Sequence, residues 1–189
     1  MQTKPEMTEV IFTATERLMA KDGLHHLSMH KIAKEAGISP GTIYIHFKSK
    51  EDLLENLAQH IFAEFHQTLS LNHDENQDFY LQYKQFWWNL WNDLYQYPDT
   101  ILNIHQYRSM PCFEKFMQEY NQSSDNIWNK FCEKAPKAGV LCDLPADILF
   151  TLSLESAINL AFKAVYFKQQ FSNDLLETVI QRTWLAIQK

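Results

Sequence analysis

Residues 36–50 read AGISPGTIYIHFKSK. Two glycines bracket a serine–proline pair, and an aromatic, a histidine and two lysines follow at once. Gly37 suits the end of one helix, because glycine takes positive φ without a Cβ clash. Ser39 suits the cap of the next, with Pro40 in its first turn, where a missing N–H leaves no bond unmade. The stretch therefore predicts two helices joined by a very tight turn. Ala33, Gly37 and Ile43 supply a small residue at the crossing, a permissive turn and an apolar plug, which is the make-up of a helix-turn-helix. At about 100° per residue, Ile43 and Phe47 share the inward face. Gly41, Thr42, Tyr44, Ile45 and His46 then point outward or sideways. Such a face buries little area but suits the wall of a DNA groove.

Each outward residue has a task there. Gly41 lets the backbone come close. Thr42 can hydrogen-bond a base edge or a phosphate, Tyr44 and His46 can reach phosphate oxygens, and Lys48 and Lys50 add charge. Ile45 stands almost opposite the buried pair, so it is expected to be exposed and to pack on a thymine methyl.

Outward from this stretch the periodicity is helical throughout. Val10, Ile11, Ala14 and Leu18 mark a first helix, with Thr3 and Glu6 as a capping box and Gly23 as the stop. Ser28 caps a short second helix carrying Ile32 and Ala33 inward. Ser49 and Asp52 open a fourth, which runs through Leu53, Leu57, Ile61 and Phe65 to the polar loop NHDENQ. An aromatic helix, FYLQYKQFWWNLWNDLYQY, follows and stops at Pro98. A short helix is expected from Pro98 to Tyr107. Another starts at Ser109 and Pro111, carries Phe113, Phe116, Tyr120, Trp128 and Phe131, and ends near Pro136 and Gly139. Two last helices follow CDLPAD and FSND. The expectation is an all-α chain of roughly nine helices, with no strand, repeat or low-complexity tract.

The 189 residues, 46% of them hydrophobic, are enough for a sizeable core. Four glycines and six prolines are too few for the turns of a sandwich or barrel. No run is apolar enough for a membrane span or a signal peptide, so a cytoplasmic location is expected. Cys112, Cys132 and Cys142 are odd in number and lack C-x-x-C spacing, which argues against a disulfide framework and a zinc site. The net charge of −6 divides unevenly: residues 1–50 hold seven basic and five acidic residues, the remainder ten and eighteen. Only the front of the chain has the sign expected near phosphates. His25, His26 and His30 suggest a metal cluster, but Ser28 interrupts them and no carboxylate or cysteine completes the set, so no metal and no cofactor are expected. Nothing resembles a nucleophile elbow, a phosphate-binding glycine loop or a paired-carboxylate site, and an enzyme is not expected.

The segment LSMHKIAKEAGISPGTIYIHFKSKEDLLENL resembles the second to fourth helices of the TetR family of bacterial transcriptional regulators, of TetR/AcrR type. The features that carry the resemblance are the cap at Ser28, Ile32–Ala33, Ala36–Gly37, Gly41, Tyr44, Phe47 and the K-S-K-E-x-L run ending at Leu53. It implies DNA contacts from Ser28, His30, Ser39, Gly41, Thr42, Tyr44, His46 and Lys50. Three positions depart from the family pattern: His30 where arginine is frequent, Pro40 where a polar residue is frequent, and Ile45 where an aromatic or polar residue is usual. Base preferences therefore do not carry over.

On this reading residues 1–50 form the DNA-binding head, a connecting helix spans 49–71, and residues 72–189 bind effector and dimerise. Nine aromatics fall between Phe79 and Tyr97. Most pack a core, yet they exceed what one helix interface needs. With their neighbours they suggest a cavity for a hydrophobic or aromatic effector, from Phe86, Trp87, Trp91, Tyr95, His105, Tyr107, Phe113, Phe116 and Tyr120. A homodimer is expected through a four-helix bundle of the last two helices, using Leu152, Ser156, Leu160, Ala164, Val179, Ile180, Thr183 and Ile187. Two heads would then grip a pseudo-palindromic operator in double-stranded DNA, in the bacterial cytoplasm or nucleoid. The expected function is a repressor released by its effector. The alternative is a non-enzymatic ligand-binding or protein-interaction dimer whose head no longer binds DNA specifically.

Overall fold

The structure is a computed structural model that describes residues 4–110 and 112–189. The expected Thr3 cap and the helix start at Pro111 fall outside those residues. Eleven α-helices and one short 3-10 turn account for the regular structure described: α1 (Lys4–Asp22), α2 (Met29–Glu35), α3 (Pro40–His46), α4 (Lys50–Ser70), α5 (Phe79–Gln96), α6 (Pro98–Tyr107), α7 (Phe113–Gln122), α8 (Ile127–Lys137), α9 (Ala146–Leu152), α10 (Glu155–Tyr166) and α11 (Asn173–Ile187). Among the described residues the one β-type pairing is an isolated bridge between Leu141 and Gln188.

Eleven helices replace the roughly nine expected because two apolar stretches that read as continuous are each broken by polar side chains. Between α7 and α8, Asn126 is buried; its Oδ1 accepts from the Asn129 N–H at 3.2 Å and its Nδ2 donates to the Tyr120 carbonyl at 3.1 Å. One amide thus caps the start of a helix and ties down the end of the one before it. Between α9 and α10, the buried Ser153 hydroxyl donates to the Leu149 carbonyl and the Ser156 hydroxyl donates to the Ser153 carbonyl. Serine back-bonding competes with the helical ladder and bends it; here α9 and α10 meet at 40°.

The chain forms two compact units. The first runs to Phe62 and also takes in Leu102–Gln118; the second comprises Ala63–Ile101 and Glu119–Lys189. The core of the first unit gathers Ile11, Phe12, Leu18 and Met19 of α1, Ile32 and Ala33 of α2, Ile43 of α3 and Leu53, Leu54 and Leu57 of α4. Tyr107 and Met110 join the same cluster from far along the chain. Gly23 ends α1 at φ 85° and Gly37 ends α2 at φ 69°, both in the left-handed region that a β-carbon disfavours.

In the second unit α5 packs most extensively against α10. Ala157, Ala161 and Ala164 of α10 are all buried, and small residues of this kind let two helix backbones approach closely. Three aromatic side chains of α5 carry polar atoms that find partners on α10 and α11. The Trp87 indole N–H donates to the Ser156 hydroxyl at 2.9 Å, the Trp88 indole N–H donates to the Glu177 carboxylate at 3.1 Å, and the Tyr83 and Thr183 hydroxyls share a bond of 2.7 Å. Lys84 adds an ion pair to Glu177 at 2.7 Å. Phe86, Trp128 and Phe131 pack ring against ring, with centroids 5.3 to 6.0 Å apart. At the far end, the Cys142 N–H donates to the Ile187 carbonyl and the Lys189 N–H to the Val140 carbonyl.

Candidate nucleic-acid interface

The geometry of residues 28–50 follows from three serine caps. Ser28 Oγ accepts from the Lys31 N–H at 3.3 Å and launches α2; Ser39 Oγ accepts from the Thr42 N–H at 3.0 Å and launches α3. At the start of α4, Ser49 Oγ accepts from the Asp52 N–H at 3.1 Å while Asp52 reaches back to the Lys48 N–H at 2.7 Å. Each cap satisfies backbone donors that the first helical turn leaves unpaired. Seven-residue helices are held in this way between turns too short to wander.

Ile43 is 0% and Phe47 4% exposed, so the inward pair anchors α3. Phe12 of α1 lies against the Phe47 ring at 5.6 Å and the His60 ring at 4.9 Å. On the other side, Tyr44 is 49% and Ile45 77% exposed. Gly41, His30, Ser39 and Lys48 are also exposed, while Ser28, Thr42, His46 and Lys50 are half-buried. The ten residues expected to meet DNA therefore lie on α2, on α3, at their serine caps, or between α3 and the first residue of α4. Two details modify their roles. The Thr42 and Ser39 hydroxyls are hydrogen-bonded to each other at 2.8 Å, and Nδ1 of His46 is buried with no hydrogen-bond partner. Glu51, just past the lysines, is held below the ordinary carboxyl pKa by hydrogen bonds from its own backbone N–H and from Ser49.

One support of this surface gave no signal in the sequence. Asn103 Nδ2 donates to the Glu16 carbonyl at 2.7 Å, and Gln106 Nε2 donates to the Met19 carbonyl at 2.8 Å. Gln106 Oε1 accepts from the Leu24 N–H, and the Tyr107 hydroxyl donates to the Glu16 carboxylate. The last turns of α6 thus cap the end of α1.

The whole chain now has known counterparts. A family model described as "Bacterial regulatory proteins, tetR family" matches residues 11–57, and one described as "Tetracyclin repressor-like, C-terminal domain" matches residues 79–188. An uncharacterised HTH-type transcriptional regulator of Haemophilus influenzae is 45% identical over 188 residues, covering 100% of this chain and 99% of its own length. The chain belongs to the TetR family. A crystal structure of a TetR-family transcriptional regulator from Haemophilus influenzae matches at TM-score 0.92 and 46% identity, over 100% of both chains. A putative TetR-family regulator from Vibrio parahaemolyticus matches at TM-score 0.82 and 29% identity, over 96% of this chain and 98% of its own. The protein is thus an all-α TetR-family transcriptional regulator with a helix-turn-helix DNA-binding domain.

The residues expected to hold an effector divide between the two units. Phe86, Trp87, Trp91, Tyr95 and Tyr120 belong to the second; His105, Tyr107, Phe113 and Phe116 belong to the first. Phe86, Trp87, Trp91 and Tyr107 are buried, whereas Tyr95 and His105 are exposed. Trp91 stacks on both Trp87 and Tyr95, with interplanar angles of 14° and 11°. Burial pushes the Tyr120 hydroxyl well above the ordinary tyrosine pKa. Two open clefts of about 210 and 240 Å³ lie on the first unit, and none of these nine residues lines either.

The residues expected at a dimer interface need correction. Ala164, Ile180 and Ile187 are buried within the chain itself and offer no surface to a partner. Ser156 and Thr183 direct their hydroxyls at Trp87 and Tyr83 of the same chain. Leu160 and Val179 are half-buried, and Leu152 is exposed. The helical periodicity was right, but it cannot tell which of two apolar stripes faces the chain's own α5. Leu175 and Leu185 of α11 join Leu152 as exposed apolar side chains on these helices.

Proposed function

We propose that the chain is a dimeric repressor that occupies a pseudo-palindromic operator and leaves it when a small hydrophobic or aromatic effector binds. The observation that carries this reading is the outward face of α3, where Gly41, Tyr44 and Ile45 stand exposed above the buried pair Ile43 and Phe47. A recognition helix needs this arrangement to enter the major groove. Lys48 and Lys50 supply phosphate contacts, and residues 1–50 carry seven basic against five acidic residues, the sign that suits a phosphate backbone.

In role, residues 1–50 read DNA, α4 connects, and residues 72–189 sense and dimerise. Dimerisation uses the exposed Leu152, Leu175 and Leu185, since a closed two-fold pair places two heads on two half-sites. The aromatic residues of α5 and its neighbours supply the apolar lining that an effector of this class needs. An effector releases the operator only by preferring the conformation with misplaced heads; couplings of about 1–3 kcal/mol change affinity roughly 5- to 150-fold. Among the described residues no single helix is long and apolar enough to cross a membrane, and the cytoplasm is the proposed location.

The test is a gel-shift of the full-length protein with DNA upstream of its own gene across a range of salt concentrations. A discrete complex that survives competition by random DNA is expected, with affinity falling as salt rises. Weak, salt-sensitive smearing alone would replace the repressor with the ligand-binding dimer whose head no longer selects DNA.

A further inference from the structure

Base selection in the major groove usually rests on bidentate hydrogen bonds: arginine or lysine to guanine, asparagine or glutamine to adenine. Between Ser28 and Lys50 this chain has no arginine, asparagine or glutamine. Its lysines in that span stand on α2 and beyond the end of α3, and Lys31 Nζ is already bonded to the His26 carbonyl at 3.0 Å. The hydroxyls at the start of α3 are engaged too, since Ser39 and Thr42 bond each other and Ser39 caps the helix. The most exposed large side chain on the reading helix is therefore a hydrocarbon, Ile45, at 77%.

An isoleucine pressed onto the amino group of cytosine or the oxygen of guanine would strip a polar group of water and return nothing. The thymine C5-methyl is the one apolar group that a standard base presents in this groove. Resting on the DNA-binding reading above, we infer that Ile45 is a specificity-determining residue. It selects a thymine in each half-site by methyl contact, and this contact, in place of a bidentate hydrogen bond, sets the base preference of the helix. The group recognised is the methyl, so 5-methylcytosine at the same position satisfies the contact and unmodified cytosine does not.

The experiment starts from a randomised duplex pool enriched by the full-length protein. Each thymine of one enriched duplex is replaced in turn by deoxyuridine, and the critical T·A pair is also replaced by C·G and by 5-methylcytosine·G. One thymine per half-site is expected whose demethylation lowers affinity about three- to fivefold, the value of one buried methyl-sized group. At that position 5-methylcytosine is expected to bind more tightly than cytosine. Ile45→Ala, at an exposed site with no folding role, is expected to bind the thymine and uracil duplexes alike. An enriched duplex indifferent to every uracil replacement overturns the inference, and so does a uracil penalty that persists in Ile45→Ala. A pool that yields no enriched sequence defeats the DNA-binding reading itself and takes the methyl contact with it.

Discussion

The backbone N–H of Leu24 donates to Oε1 of Gln106 at 2.7 Å, joining residues 82 positions apart in the chain. The same amide donates through Nε2 to the Met19 carbonyl, so one side chain serves a donor and an acceptor at the end of α1. Gln106→Ala leaves the part-buried Leu24 N–H without its partner, a loss worth about 1–3 kcal/mol. A lower urea midpoint by circular dichroism is expected; an unchanged midpoint would show that water takes over both bonds.

Gly41→Ala separates folding from recognition. A β-carbon there meets nothing nearer than Ser39 Oγ at 3.7 Å, an ordinary contact, and Gly41 does not take positive φ. Alanine is the better helix former by up to about 1 kcal/mol, so stability is expected to hold or rise. DNA binding is expected to weaken about tenfold, equivalent to ~1.4 kcal/mol, because the added methyl keeps the backbone off the duplex. Denaturation and gel-shift on the same preparation check both halves.

His73, in the turn after α4, stacks on Phe86 with centroids 4.9 Å apart and an interplanar angle of 16°. Burial holds its pKa below the ordinary histidine value of 6.5, against the opposing pull of Glu75 and Asp74; Lys134 adds to the depression. The unfolded chain therefore takes up the proton first as pH falls. The stack's contribution is fully present above the unfolded value and is lost as pH drops below about 6.5 towards the folded one. Urea midpoints between pH 8 and 5 are expected to fall more steeply for the wild type than for His73→Phe; parallel curves would contradict this.

Ser156→Ala removes the hydroxyl that accepts from the Trp87 indole N–H, a residue with no exposed surface. A buried donor without a partner costs about 1–3 kcal/mol. The urea midpoint is expected to drop by the corresponding amount, and Ser156→Thr, which keeps a hydroxyl, is expected to recover much of it.

The helix-turn-helix was legible because its signals are local. Gly37, Ser39 and Pro40 specify a turn and a cap within a few residues, and Ile43 with Phe47 fixes which face is inward. The breaks at Asn126 and Ser153 were not legible, because serine and asparagine occur inside helices as well as at their ends. Only the direction of each side chain, towards Tyr120 or Leu149, decides. Ile180, Ile187 and Ala164 show the same limit at longer range. They are buried, but the neighbours that bury them are distant in sequence: α10 packs mainly on α5, and α11 on α5 and α9. Asn103 and Gln106 left no trace at all, since a polar residue on an amphipathic helix ordinarily meets water.

Neither compact unit is a continuous piece of chain, because the first regains residues 102–118 after the second has begun. A fragment cut after α4 would keep every residue proposed to meet DNA yet lose Asn103, Gln106 and Tyr107, which bond to the second half of α1 and the turn after it. Transplanting this reading module onto another regulator's sensor thus requires two separate inserts instead of one. Evolution faces the same restriction: recombination at a single point after α4 would deliver a module with part of its foundation left behind.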